Sequence, residues 1–161
     1  MLNNPNVQAF IDHVKAECKK HKIKLQLRPV KFLLLTGNIK CGGYFDSEER
    51  RLVVATNNED AWLSLLVHEY GHLTQWAEGC KEWEEGCEGI GHLEDWLAGK
   101  RKKNIKQHID KSRDLELDNE KRSVKLIKQW KLPIDIKDYI KRANAYVQFY
   151  NWMYYSRKWS K

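Results

Sequence analysis

Apolar residues near the start of the chain recur at helical spacing. Val7, Phe10, Ile11 and Val14 stand three or four apart, which sets them on one face of a helix. Asn4-Pro5 supplies its start, a capping residue followed by proline in the first turn, and the helix is expected to run to about Lys20. Alternation then replaces that period. Ile23, Leu25 and Leu27 alternate with polar residues, as in a half-buried strand. Phe32 to Thr36 is a short apolar run ending at Gly37, a second strand or a continuation of the first. Gly42 to Asp46 and Arg51 to Ala55 flank the polar turn Ser47-Glu48-Glu49-Arg50, the pattern of a hairpin. Helical spacing returns after Asn57 or Asn58, either of which is expected to cap a helix with Glu59 and Asp60 in its first turn; this helix should reach about Ala77. Residues 79–92 carry several glycines without a clear period and read as a loop, followed by a short helix from Leu93 to Leu97. A long helix is expected from Asn104 to Trp130, stopped by Pro133, and a last, aromatic-rich helix from Ile136 to Trp159. No repeat or linker divides the 161 residues, so a single domain over 1–161 is expected.

Composition narrows the class. The chain is 42% hydrophobic and 32% charged, a globular balance, and no apolar run approaches the roughly 18 residues of a membrane helix. The opening MLNNPNVQAFIDHVKAECKKHK lacks the basic-then-apolar order of a signal peptide. The expected location is the cytoplasm of a cell, or of an infected host, with no membrane partner. Cys18, Cys41, Cys80 and Cys87 are expected as free thiols there, since Cys80 and Cys87 are too far apart for a zinc-ribbon pair. The net charge of +7 is unevenly spread. Residues 78–95 are strongly acidic, and 100–131 are strongly basic from Lys100-Arg101-Lys102-Lys103 onward. The two stretches either flank a cleft or pair with each other. A basic segment can bind nucleic acid, although such lysines are often only the wet face of a helix.

Candidate chemistry lies in SLLVHEYGHLTQW, residues 64–76. Each helical residue advances about 100°, so His68 and His72 share a face and can point ring nitrogens at one ion. Glu69 lies about a quarter turn away, able to reach a reacting water without binding the metal. Leu65, Leu66, Val67 and Leu73 make this a buried helix, where polar groups are costly unless paired. Core histidines satisfied by ordinary hydrogen bonds are the alternative. A catalytic zinc usually takes three protein ligands and keeps one open position. Glu78 falls where the metzincin pattern has its third histidine, but Gln75 replaces the glycine that would turn the chain back. In DLELDNEKRSVKLI, Glu116 and Glu120 stand four apart. They project onto one stripe with Ile109, Arg113, Ser123 and Ile127, while Asp118 points elsewhere. Isoleucine at both ends implies burial; a surface Glu–Lys pattern is the alternative.

Together, His68-Glu69-Tyr70-Gly71-His72 and Glu116-Leu117-Asp118-Asn119-Glu120 resemble the two signature helices of gluzincins, which include thermolysin-like enzymes and the ImmA/IrrE-like peptidases. The resemblance implies Glu116 as third ligand and Glu120 as the carboxylate that fixes a ligand ring. The best-known members carry Asp or Asn at the second position, so a swap of the two roles stays open. The strands before the motif resemble the minimal ImmA-like zincin, and size and motif order resemble small phage-encoded metallopeptidase-like proteins. The implied fold is α+β and zincin-like. A small, mostly antiparallel sheet packs on the motif helix, and the long third-ligand helix crosses it. The implied function is zinc-dependent hydrolysis of peptide bonds in a protein or peptide substrate. Zn2+ is held by His68, His72 and Glu116, and Glu69 takes a proton from water and passes it to the leaving amine. His92, His108, Arg113 and several tyrosines are candidate oxyanion donors. Substrate can lie along the hairpin edge, with Tyr44 and Phe45 either forming that edge or filling the strand core. Two other classes stay open: a nucleic-acid-associated zinc protein using 100–131, and an inactive zincin-fold interaction module, against which the intact Glu69 argues.

Overall fold

Asn4 caps the first helix, α1 (Pro5–Lys20), its side chain accepting from the N–H groups of Asn6 and Val7 at 2.9 and 3.4 Å. The computed structural model describes residues 4–35, 39–58 and 61–158. After α1 come strands β1 (Lys24–Arg28), β2 (Leu33–Leu34), β3 (Lys40–Cys41), β4 (Gly43–Asp46) and β5 (Arg51–Ala55). Four helices follow: α2 (Trp62–Glu78), α3 (Lys81–Leu97), α4 (Ile105–Gln129) and α5 (Ile136–Ser156). The fold is α+β. No helix among the described residues is long and apolar enough to cross a membrane.

Two of the three strand pairings among the described residues are antiparallel, in line with the mostly antiparallel arrangement expected, but the three-stranded sheet itself is mixed. Its order is β1-β5-β4, with β1 parallel and β4 antiparallel to β5, while β2 and β3 form a separate antiparallel pair. The reason is legible in β5. Leu52, Val53, Val54 and Ala55 are all fully buried, and a strand covered on both faces belongs in the middle of a sheet. It therefore takes a partner on each side, and the five-residue β1 finds a full ladder there that the two-residue β2 cannot offer. The strand period of two separates the faces. Leu52 and Val54 join the main core with α1 and α2, while Val53 and Ala55 pack with Leu33, Cys41 and Tyr44. On β4, Tyr44 goes to that outer face and Phe45 to the helical side, against Trp76 and Trp83.

Three further expectations shift. Neither Asn57 nor Asn58 caps α2 with its side chain; the helix begins at Trp62, and the Asn58 carbonyl accepts from the N–H groups of Ala61 and Trp62. Thr36, Glu59, Asp60 and Trp159, assigned above to a strand and to helices, lie outside the described residues. The stretch 79–92 is not a loop. Gly79, in the left-handed conformation that ends α2 (φ 59°), is followed almost at once by α3, of which Leu93 to Leu97 is only the last part. Two of its glycines, Gly86 and Gly89, make a contact face, while Gly91 faces open space. A Cβ on Gly86 would fall 2.5 Å from Cβ of Leu115, and one on Gly89 would fall 2.6 Å from the His108 carbonyl. Bare backbone at these two positions lets α3 lie directly on α4. Gly86→Ala is accordingly expected to lower stability by about 1–3 kcal/mol through overpacking, read as a lower urea midpoint at unchanged slope.

α2 is the hub. Tyr70 packs edge-on against Phe10 of α1 with ring centroids 5.8 Å apart, and its hydroxyl meets His13 Nε2 at 2.9 Å. Leu66 and Leu73 are fully buried, each contributing about 1.5–3 kcal/mol of apolar burial. This leaves the opposite face of α2, with His68 and His72, turned toward α4.

Candidate metal centre

α2 and α4 bring three polar side chains to one point. Nε2 of His68 and Nε2 of His72 stand 3.6 and 3.5 Å from Oε2 of Glu116. These three residues offer ligand atoms all within 4.8 Å of one another. Glu116 Oε2 is buried without a hydrogen-bond partner among the described residues, which is rare and costly for a carboxylate oxygen. The expected stripe on α4 is present: Ile109, Glu116, Glu120, Ser123 and Ile127 are buried, and only Arg113 is half-exposed.

Each histidine ring is held from its far side. Nδ1 of His68 faces Oε1 of Glu120 at 3.2 Å, and the other Glu120 oxygen accepts from the Tyr139 hydroxyl of α5 at 2.6 Å. Nδ1 of His72 meets Oε1 of Gln75 at 2.9 Å. The Gln75 amide nitrogen donates in turn to the Leu115 carbonyl (3.0 Å) and to Asp118 (2.8 Å), so its orientation is set by α4. Asn119 Nδ2 donates to the His68 carbonyl at 3.1 Å. Gly71 makes that possible, because a Cβ there would collide with the Asn119 amide oxygen.

Electrostatics follow from crowding carboxylates around two imidazoles. Burial disfavours charge on His68, but its hydrogen bond to Glu120 and the charges of Glu116, Glu69 and Glu120 outweigh this and push its pKa up to about 9. Burial raises Glu69, with His68 and His72 opposing. For Glu116, burial acts upward, yet His72 and His68 hold it below the usual carboxylate range. Glu69 lies against the sheet at Gly43, where a Cβ would stand 3.1 Å from its Cγ. Gly43 and Phe45 belong to β4, one of the two edge strands of the three-stranded sheet, whose outer side pairs with no strand among the described residues, so that edge runs beside this end of α2.

Glu78 is elsewhere: its carboxylate is exposed and paired with Arg122 at 2.7 Å. Among the candidate oxyanion donors, Arg113 is held by Asp110, Asp114 and Asn151. His92 and His108 stack on each other with centroids 3.9 Å apart. His108 precedes Glu116 by two helical turns, about 12 Å along the axis. A tyrosine does approach. Tyr146 of α5 lies with its ring centroid 6.5 Å from that of His68; the residue is 39% exposed, but desolvation on the side of its hydroxyl first and the Glu116 charge second raise its pKa. Beside His68 opens a cavity of about 260 Å³, whose lining includes Leu65, Glu120, Tyr139, Ala143 and Tyr146.

The acidic and basic stretches pair with each other at several points. Asp95 takes Lys100 and Lys102, Glu88 takes Lys111, and Glu78 takes Arg122. The four cysteines are free. Gln75, Asn119 and Tyr139 escaped the sequence reading. Gln75 was within reach of it, standing three residues after His72 on the same helix. No spacing links Tyr139 to Glu120. No protein-family model matches the chain, and neither a curated protein nor a solved structure shows significant similarity to it.

Proposed function

We propose that the chain is a zinc-dependent peptidase with a minimal zincin-like fold, acting on a protein substrate. One observation carries the reading: two Nε2 atoms and a buried, unpartnered carboxylate oxygen converge between α2 and α4. Two imidazoles and one carboxylate suit zinc with an open position, and the surplus of buried carboxylates calls for a cation. His68, His72 and Glu116 would hold it. Zinc, when bound, supplies a Lewis acid that polarises a carbonyl and acidifies water.

The chain's own groups do the rest. Glu69 accepts the proton of the attacking water and delivers it to the leaving amine, a role suited to a carboxylate whose proton affinity burial already raises. Glu120 and Gln75 take the Nδ1 sides of the two histidines, which leaves both Nε2 atoms free to ligate and fixes the rings. Tyr146, protonated beside His68, is the donor for the developing oxyanion. The open edge of β4 takes the substrate backbone as an added strand, and the cavity at Leu65 and Ala143 takes an apolar side chain.

Incubating the zinc-loaded chain with an unfolded protein such as casein tests this, with new termini read by mass spectrometry. Cleavage should stop with chelator and return with zinc. Cleavage no greater than that of Glu69→Gln would sink the reading. Gln75→Ala is expected to weaken zinc binding about 10–100-fold, the usual cost of losing an outer partner of a ligand, as measured by competition with a chromogenic chelator.

A further inference from the structure

A second group of donor side chains lies between α3 and α4, away from the centre described above. Glu88 and His92, four apart on α3, face His108 on α4, and the three offer ligand atoms all within 4.8 Å of one another. We infer that Glu88, His92 and His108 form a second site for a borderline divalent cation of the zinc, nickel or copper class, bridging α3 to α4.

Three observations support it. Nδ1 of His108 is buried and has no hydrogen-bond partner among the described residues, so a ring nitrogen is desolvated without compensation there. The two imidazoles lie 3.9 Å apart and nearly parallel, at 29°, a contact that two protonated rings would resist. Glu88 is oriented for the task, because Lys111 holds its Oε2 at 3.2 Å while Oε1 faces His92 Nε2 at 4.0 Å. The backbone brings the group together through Gly89, whose missing side chain lets α3 touch the His108 carbonyl.

Ligands of one tetrahedral ion at about 2.0–2.1 Å stand roughly 3.4 Å apart. Closing from the present separations takes about an ångström of adjustment and a turn of the His92 ring out of the stack, because an ion lies in the plane of each ring that binds it. His92 and Glu88 are the ones to move, with side chains 37% and 57% exposed. The donor set of two nitrogens and one oxygen selects borderline cations over calcium or magnesium, which prefer all-oxygen sites. Its effect would be mechanical. An ion here fastens α3 to the first part of α4, two turns before Glu116.

The test is a titration of the metal-stripped chain with zinc, and with cobalt for its visible bands, in wild type, His72→Ala, His108→Ala and the double variant. Helical circular dichroism confirms that each is folded. Wild type should bind two ions, each single variant one and the double variant none, and zinc should raise the Tm of His72→Ala but not of the double variant. His92→Ala should weaken the second ion at least tenfold, which guards against misfolding of the His108 variant. A stoichiometry of one that His72→Ala abolishes would overturn this site and leave the peptidase reading intact. A stoichiometry of one that only His108→Ala abolishes would do the reverse. Unchanged binding in both His92→Ala and His108→Ala would also overturn it.

Discussion

Glu69→Gln is expected to fold and to retain zinc like the wild type, while its turnover of a protein substrate falls about a hundredfold to ten-thousandfold. The replacement keeps the shape and the packing against Gly43 but removes the site that takes up a proton. Metal content is the control that separates this role from that of a ligand. His68, His72 and Glu116 form the converging set without Glu69, so the amide should leave the metal in place. The burial that raises the carboxyl's proton affinity should also make the neutral amide as stable in this position as the native side chain, and thermal denaturation would show no loss. Turnover equal to wild type would remove Glu69 from the chemistry.

In the His108→Ala background, where only the ion of the α2–α4 centre is counted, Glu116→Ala is expected to lose zinc outright at stoichiometric metal, a larger fall than the roughly 10–100-fold that removal of an outer partner brings. Elemental analysis after gel filtration reads this directly. Glu120→Ala is the informative partner, because the sequence left the two roles interchangeable. Glu120 faces Nδ1 of His68 and accepts from Tyr139, whereas Glu116 faces the Nε2 atoms of both histidines. Glu120→Ala should therefore retain zinc with reduced affinity. Glu78→Ala should retain it fully, its carboxylate being engaged with Arg122. The reverse ranking of the two α4 variants would exchange their roles.

The parts of the fold that could be read in advance are those in which one periodicity decides the matter. Val7, Phe10, Ile11 and Val14 mark α1, and the long stripe from Ile109 to Ile127 marks α4, because both faces are set by local spacing. α3 was missed because a glycine in a helix signals two opposite things. Gly86 and Gly89 lower helix propensity, but in this chain they are the surface on which α4 rests, and that is a property of the pair of helices. The parallel pairing of β1 with β5 was missed for a similar reason: two strands separated by two hairpin-like pieces carry no mark of whether they meet. In the candidate centre, the His-Glu-x-x-His residues and Glu116 were visible as spacing, while Asn119 and Tyr139 enter through contacts between elements far apart in the chain.

The parallel pairing also bears on the order in which the chain assembles. Lys24 pairs with Arg51 and Arg28 with Ala55, so β1 cannot bond to β5 until everything between them has been drawn into a closed loop, at an entropic cost that only later contacts repay. The β4–β5 hairpin carries no such burden. Its turn is short, and the Asp46 carboxylate bonds the N–H groups of Glu48 and Glu49 at 2.9 and 2.8 Å, so it belongs to the microsecond events of folding. Once formed, the hairpin shortens the loop that β1 has to close and presents the far edge of β5 as a template. Folding is therefore expected to run against the direction of the sequence at this point, with high φ-values in the β4–β5 hairpin and low ones in α1 and β1, whose docking seals Leu52 and Val54 beneath Val7, Phe10 and Val14.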